Sequence, residues 1–376
     1  MKITRCLLLF LVLHSPLWSQ NSGTQIISDS TASPYATGGL FGSHEIFEIC
    51  LKGDIRKLFR DRQDDAIYHP IHFSYQQSNG IIISLDIKVK TRGHFRRMRE
   101  NCNTPPLYLN FDSVQGISKT IFNAQPRLKL VTACIDDKYV LHEYLVYKIY
   151  QLITEKSFRA RLVKVRYNDI EKGKETDPKF GILLEDQNDM AERNNSRLLK
   201  RLNVKPRITD REMFLKMTVF QFLIGNTDWS IQYLHNIKLI SGNDSPALIP
   251  VPYDFDLTGI VGAPYALPPE QLQLQSVKQR RYRGYCIEDM GEFEPIFDLF
   301  NDLKDEIYQI YTDNPLLDEK YIKRTLKYLD AFYIIINDSK AATKAFQYPC
   351  NSRADIVIKG LKKRNEKKKP DKKKVN

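Results

Sequence analysis

At 376 residues and 43.9 kDa the chain has room for one large domain or two modest ones with a substantial core. A hydrophobic share of 42% with 11% aromatic residues excludes a disordered or collagen-like chain and a polytopic membrane protein. The net charge of +12 is concentrated at the ends, because nine Lys or Arg from Lys362 to Lys374, against Glu366 and Asp371, carry more than half of it, and Lys2 and Arg5 add to it. The body is therefore not the basic surface of a specific nucleic-acid binder.

Lys2 and Arg5 precede an apolar run, Cys6 to Leu13, with a small-residue cleavage point at Ser19 before Gln20. This is the layout of a signal peptide over 1–19, and it predicts a secreted or periplasmic mature chain. The run is too short to span a bilayer, and no later segment reaches about 18 apolar residues. Without Cys6 the cysteines are Cys50, Cys102, Cys134, Cys286 and Cys350. An odd set without a C-x-x-C pair allows at most two bridges, and their pairing stays open. Residues 20–45, rich in Ser, Thr and Gly, read as a linker. Its Gly38-Gly39-x-x-Gly42 resembles a phosphate cradle, although such glycines are more often a flexible lead-in.

From Ile46 to Phe122 short runs alternate apolar and polar residues, as in Ile81 to Lys90 and Leu107 to Phe111, and predict strands. Asp136-Asp137 then opens a helical run to Ile153, with Leu141, Leu145, Ile149 and Leu152 at helical spacing. Two more strands follow, Arg161 to Tyr167 and Phe180 to Glu185, joined by a lysine-rich turn. The second half is mainly helical. Thr209 and Glu212 have capping-box spacing ahead of a helix that stops at Gly225, and further helices are expected over Glu294 to Tyr311 and Asp318 to Ile336. The basic tail, 359–376, reads as a solvated extension able to touch anionic surfaces.

The chemistry concentrates after Gly225. Asn226-Thr227-Asp228 is followed by His235-Asn236, a strand from Ile237 to Ile240, a Ser241-Gly242-Asn243-Asp244 turn, and a second strand leading into Asp254-Phe255-Asp256. A hairpin closed at that turn, with Ile240 near Ala247 and Asn236 near Val251, brings Asn236 and Asp254 together beside the loop carrying Asp228. Acids and an amide oxygen gathered this way suit a hard divalent cation and match the parts of phosphoryl transfer. Asp and Asn in turns also commonly serve only to bond nearby backbone. The order of elements is that of a protein-kinase C-lobe, although eight residues rather than the usual five separate Asp228 from Asn236.

These residues, and above all Pro250-Val251-Pro252-Tyr253-Asp254-Phe255-Asp256-Leu257-Thr258-Gly259, resemble the spore-coat CotH kinase family. Lys90-Thr91-Arg92-Gly93 is similar to its Arg-Gly loop, Arg127-Leu128-Lys129-Leu130 to its lysine strand, and Phe180 to Glu185 to the strand joining its lobes. The resemblance spans about residues 85 to 260 and departs from the family at His94-Phe95. It implies an α+β, two-lobed, protein-kinase-like fold, with a β-rich N-lobe over 46–186 and a mainly helical C-lobe over 187–358. It implies Asp228 as the catalytic or hydroxyl-orienting acid and Asn236, Asp254 and Asp256 as ligands of Mg²⁺ or Mn²⁺. ATP or another nucleotide would be bound by Lys129, Glu143, Arg92 and Glu185, with Lys129 paired to Glu143.

Glu143 shares its helical face with Tyr139, Val146, Tyr147 and Tyr150, which fits either a desolvated carboxylate in need of a cation or a solvated one on a surface. The basic stretch 276–285 is either a solvated loop or a place for an acidic or phosphorylated protein substrate. The expected activity is transfer of a phosphoryl group from a nucleotide to a protein hydroxyl or other acceptor. The alternative is a kinase-shaped binding or cell-envelope protein without catalysis.

Overall fold

Strict alternation along the first half of the chain produces strands with one buried face, and these strands curl until the sheet meets itself. The computed structural model describes residues 39–112, 114–243 and 246–347. The leader, the lead-in to Gly38, Cys6, Asp244, Cys350 and the basic tail lie outside them. The elements in order are β1 (Phe47–Gly53), α1 (Ile55–Arg60), β2 (His69–Gln76), β3 (Ile82–Thr91), β4 (Leu107–Asn110) and β5 (Arg127–Val131). Next come α2 (Lys138–Ile153), β6 (Ala160–Asp169), β7 (Lys174–Glu175), β8 (Lys179–Leu184), α3 (Gln187–Arg193) and β9 (Ser196–Leu199). The remainder is α4 (Arg211–Leu223), β10 (Ile237–Gly242), β11 (Leu248–Pro252), α5 (Glu294–Asp302), α6 (Lys304–Thr312), α7 (Glu319–Ile336) and α8 (Ser339–Phe346). The architecture is mixed α/β, β-rich in its N-terminal region and helical in its C-terminal region. No helix among the described residues is long and apolar enough to cross a membrane.

The sheet runs β1-β2-β3-β4-β5-β8-β6, and a parallel pairing of β1 with β6, Ile49 opposite Val165, closes it into a seven-stranded barrel, with β7 appended to β6. A kinase N-lobe is ordinarily an open sheet, so closure is a departure from the expected form. Closure removes the edges on which strands of other chains could pair. The interior is filled by Ile49, Leu51, Ile71, Phe73, Leu85, Ile87, Val89, Leu109, Leu128 and Val163, all at most 6% exposed, and Phe111 stacks on Phe122 at 4.9 Å. The bore is narrow at β8: a Cβ on Gly181 would lie 2.6 Å from Val165 Cγ2, so only glycine fits. The turn at Gly39–Gly42 places Leu40 in this core while Arg161 donates to the Leu40 carbonyl at 3.3 Å, a packing role rather than a phosphate cradle.

Helix α2 is apolar on nearly every side and is buried accordingly. It packs between the outer face of the barrel and a second core built from α4 to α8. The capping expectation shifts by one residue: Asp210, not Thr209, accepts from the Met213 amide and caps α4. At the other end the Asn226 amide donates to the Gln221 carbonyl and the Gly225 amide to that of Phe222, a Schellman closure with Gly225 at φ 67°. The expected helix over Glu294 to Tyr311 is broken at Leu303 into α5 and α6. Cys102 and Cys134 form a disulfide, Cys286 is also disulfide-bonded, and Cys50 is free.

Candidate functional site

The end of α4 sets the first side chain. Asn226 donates to Gln221 Oε1 at 2.8 Å, and its own Oδ1 accepts the Asp228 amide at 2.9 Å, so the turn after Gly225 fixes Asp228 in a buried position, 5% exposed. His235 Nε2 meets Asp228 Oδ1 at 2.9 Å, and the Asn236 amide donates to the Asp228 carbonyl at 2.8 Å and to Oδ2 at 3.2 Å. Arg283 braces the same loop from below by donating to the Thr227 carbonyl at 2.6 Å.

The hairpin brings the second strand to this point, but with the register shifted by two residues. Ile240 faces Ile249, and the Tyr253 amide donates to the Asn236 carbonyl at 3.0 Å. Asp254 therefore follows directly on the residue opposite Asn236. Leu234, Asn236 and Asp254 all have positive φ, of 51°, 53° and 65°. Asn and Asp tolerate this backbone region, whereas Leu does so only under strain, and such strain gathers at working sites. Asp254 is fixed by its amide donating to the Tyr147 hydroxyl at 2.9 Å, and Phe255 is buried against Tyr147 and Phe220.

Arg96, which the sequence reading missed, dominates the electrostatics. Its Nη2 lies 3.3 Å from Asp254 Oδ1, its Nε 3.3 Å from Asp256 Oδ2 and its Nη1 3.5 Å from Glu143 Oε2. Burial opposes its charge, but Asp256, Glu143, Tyr265 and Asp254 around it hold its pKa well above the ordinary value. Burial raises the carboxyl groups of Glu143 and Asp256, Arg96 acting against it in both. Glu143 is thus the desolvated carboxylate of the two sequence alternatives, at 1% exposure. The expected Lys129–Glu143 pair does not form. Glu143 points to Arg96, while Lys129, on β5, turns its ammonium toward the rings of Tyr253 at 5.1 Å and Phe158 at 5.5 Å.

Lys129 makes no ion pair among the described residues and is 3% exposed. Burial first, then the nearby charges of Arg92 and Lys238, bring its ammonium down to about 7. Lys238, also missed from sequence, lies 5.1 Å from the same Tyr253 ring, and Arg92 sits over Tyr108 at 5.2 Å. Three cations and two tyrosines thus face one another, next to Asp254. Glu185 is not among them. Its carboxylate takes both Nε and Nη2 of Arg193 at 3.0 Å and the Arg159 amide at 2.9 Å, which leaves it a structural anchor.

The divalent ion implied by the resemblance asks for convergent oxygen ligands. Asp254, Asp256 and Asn236 offer the right donors, but no three His, Cys, Asp or Glu side chains among the described residues are gathered so as to hold an ion. As folded, with a guanidinium between the carboxylates, the residues do not fit it. In the basic stretch, Arg280 donates to the Leu223 and Tyr328 carbonyls and stacks on Tyr328 at 3.7 Å, and Arg283 braces the Asp228 loop, so of the four cations only Lys278 and Arg281 are exposed. A shallow groove lined by Glu212, Lys216, Pro295, Ile296 and Leu299 includes none of the residues above.

No known family's sequence pattern matches the chain, and no curated protein matches it. Among solved structures, the crystal structure of the Helicobacter pylori proinflammatory kinase CtkA is similar over 74% of this chain and 93% of its own, at 11% identity and a TM-score of 0.35.

Proposed function

We propose that the chain is a kinase-like phosphotransferase of the CotH type, with the barrel region as N-lobe and the helical region as C-lobe. The observation that carries the reading is the trio Arg92, Lys129 and Lys238, which form no ion pair among the described residues and have only Asp186 and Asp254 acting on Lys129 from further off, beside the cluster of Asp228, Asn236 and Asp254. A buried ammonium without a direct ion pair is costly, and a polyphosphate would supply negative charge at contact, with Tyr108 and Tyr253 as flanking surfaces. Asp228 then receives the proton of an acceptor hydroxyl as the acceptor oxygen bonds to the terminal phosphorus. The bond from that phosphorus to its bridging oxygen breaks, and the nucleoside diphosphate leaves with the electron pair. His235 and Asn236 hold Asp228 at a fixed rotation. Lys278 and Arg281 are the cations left to meet an acidic protein substrate. Mg²⁺ or Mn²⁺ enters this reading only in competition with Arg96, as argued below. Export is part of the proposal, and the Cys102–Cys134 bridge suits an oxidising compartment.

Calorimetry with ATP and a labelled-phosphate transfer assay test this. Binding that is weakened in Lys129→Met, and transfer that is lost in Asp228→Asn with binding kept, are expected. A wild-type chain that binds no nucleotide sinks the reading. One observation favours the second reading, a binding protein without catalysis: Arg96 already neutralises the acids that an active kinase keeps open. Nucleotide binding without any transfer decides for it.

A further inference from the structure

We infer that the Arg96 guanidinium stands where a divalent cation would otherwise sit among Asp254, Asp256 and Glu143, and that ion and side chain exclude one another there. The inference rests on the proposed reading of Asp254 and Asp256 as ion-facing carboxylates.

The contacts of Arg96 are those of a shared charge rather than of a committed pair. Its three distances are 3.3, 3.3 and 3.5 Å, and only the one to Asp254 has hydrogen-bond geometry. Two other arginines grip single carboxylates two-handed, Arg193 on Glu185 at 3.0 and 3.0 Å and Arg211 on Glu292 at 2.6 and 2.8 Å, and Arg166 on the surface divides itself between Glu48 and Glu175 at hydrogen-bond distances of 2.5 and 2.8 Å. Arg96 spreads over three acids instead, as a metal ion spreads over its ligands. Glu143 provides an independent sign. Fully buried, neither of its oxygens closes a hydrogen bond of ordinary geometry, and its negative charge is offset mainly by Arg96 Nη1 at 3.5 Å and, to a lesser extent, by the Phe255 amide. A buried carboxylate left in that condition has ligand capacity to spare.

Arg96 is held in place by its loop, residues 92–106. Arg62 donates to the carbonyls of Arg97 at 3.1 Å and Cys102 at 2.7 Å, the Cys102–Cys134 bridge ties the loop to the segment after β5, and Phe95 lies 5.9 Å from Tyr265. Removing the guanidinium leaves Asp254, Asp256 and Glu143 without their cation, so that they take up protons unless another positive charge enters. A hard divalent ion is the chemistry those oxygens select.

The experiment uses the full chain and Mn²⁺ alone, with no nucleotide present, so that a chain unable to bind ATP still gives an answer. Mn²⁺ binding is measured by calorimetry and electron paramagnetic resonance for wild type, Arg96→Met and Arg96→Met/Asp254→Asn. The expected result is a site in Arg96→Met at least about tenfold tighter than any in wild type, lost again in the double variant. If Arg96→Met is unfolded without metal, Mn²⁺ restores its circular dichroism and melting transition. Wild type binding Mn²⁺ as tightly as Arg96→Met, at a site that Asp254→Asn removes, overturns the inference. So does an Arg96→Met chain that neither binds Mn²⁺ nor is refolded by it. ATP binding by wild type alongside either of these results sinks this inference alone.

Discussion

His235 Nε2 and Asp228 Oδ1 are 2.9 Å apart, and the loop between the two residues closes on itself through the reciprocal backbone bonds of Ser230 and His235, each 2.9 Å. The imidazole holds one carboxylate oxygen while Asn236 holds the other. His235→Ala frees Asp228 to rotate, and the expected outcome is a loss of transfer rate on the order of tenfold to a hundredfold with nucleotide affinity unchanged. Parallel measurement of the rate and of the dissociation constant checks it. A fall in affinity alone contradicts the positioning role.

Lys129 makes binding depend on pH. Its folded pKa is depressed to about 7, from the ordinary 10.5 of a lysine, by burial and then by Arg92 and Lys238. Bound phosphate favours the charged form, so affinity falls as pH rises from about 7, and binding near neutrality takes up a proton. Lys129→Met flattens the profile. The same shift has a sign for stability. Between the two pKa values the unfolded chain holds a proton that the folded one lacks, so this group's contribution becomes more favourable as pH rises through that window. Calorimetry in buffers of different ionisation enthalpy reads the proton uptake directly.

His142 acts on the acid side. It is stacked on Tyr321 at 3.5 Å with Nδ1 3.3 Å from the Val261 carbonyl, and burial lowers its pKa from 6.5 to about 4. The unfolded chain takes up a proton that the folded chain refuses between those values. Stability is therefore lost as pH falls from about 6.5 toward 4, by on the order of 3 kcal/mol. Urea melts of wild type and His142→Phe at pH 7 and pH 4.5 check this, with the variant expected to lose less on acidification.

Much of this organisation is legible in the sequence, because it is local. The alternation in β3, the helical period of α2, the Gly225 stop and the hairpin that delivers Asp254 to Asn236 all follow from neighbouring residues, and the gathering of 228, 236 and 254 follows from the hairpin even with its register shifted by two. What escaped is long-range. Arg96 and Asp254 are separated by 158 positions, and nothing near Arg96 in the chain announces a carboxylate partner. Glu185 differs: the sequence reading assigns it to the nucleotide, but the turn from β8 into α3 brings Arg193, only eight residues on, to its carboxylate. Lys238 had a usable signal, two residues after Asn236 on a strand that was correctly expected.

The barrel core gives a stability prediction free of any functional reading. Phe73 is fully buried and makes edge contacts with Phe111 at 5.3 Å and Phe122 at 5.1 Å. Phe73→Ala is expected to cost about 3–5 kcal/mol, read as a lowered denaturant midpoint. A loss below about 1 kcal/mol contradicts the tight interior described for this barrel.

The parallel seam between β1 and β6 also sets an order of events during synthesis. Strand β1 pairs with β2 early but finds its second lateral partner only after the whole of α2 has been made, with Gly53 waiting for Asp169. Until then a growing sheet carries two raw margins, and a pairing so remote in sequence makes for slow maturation and a premium on protection of the nascent chain.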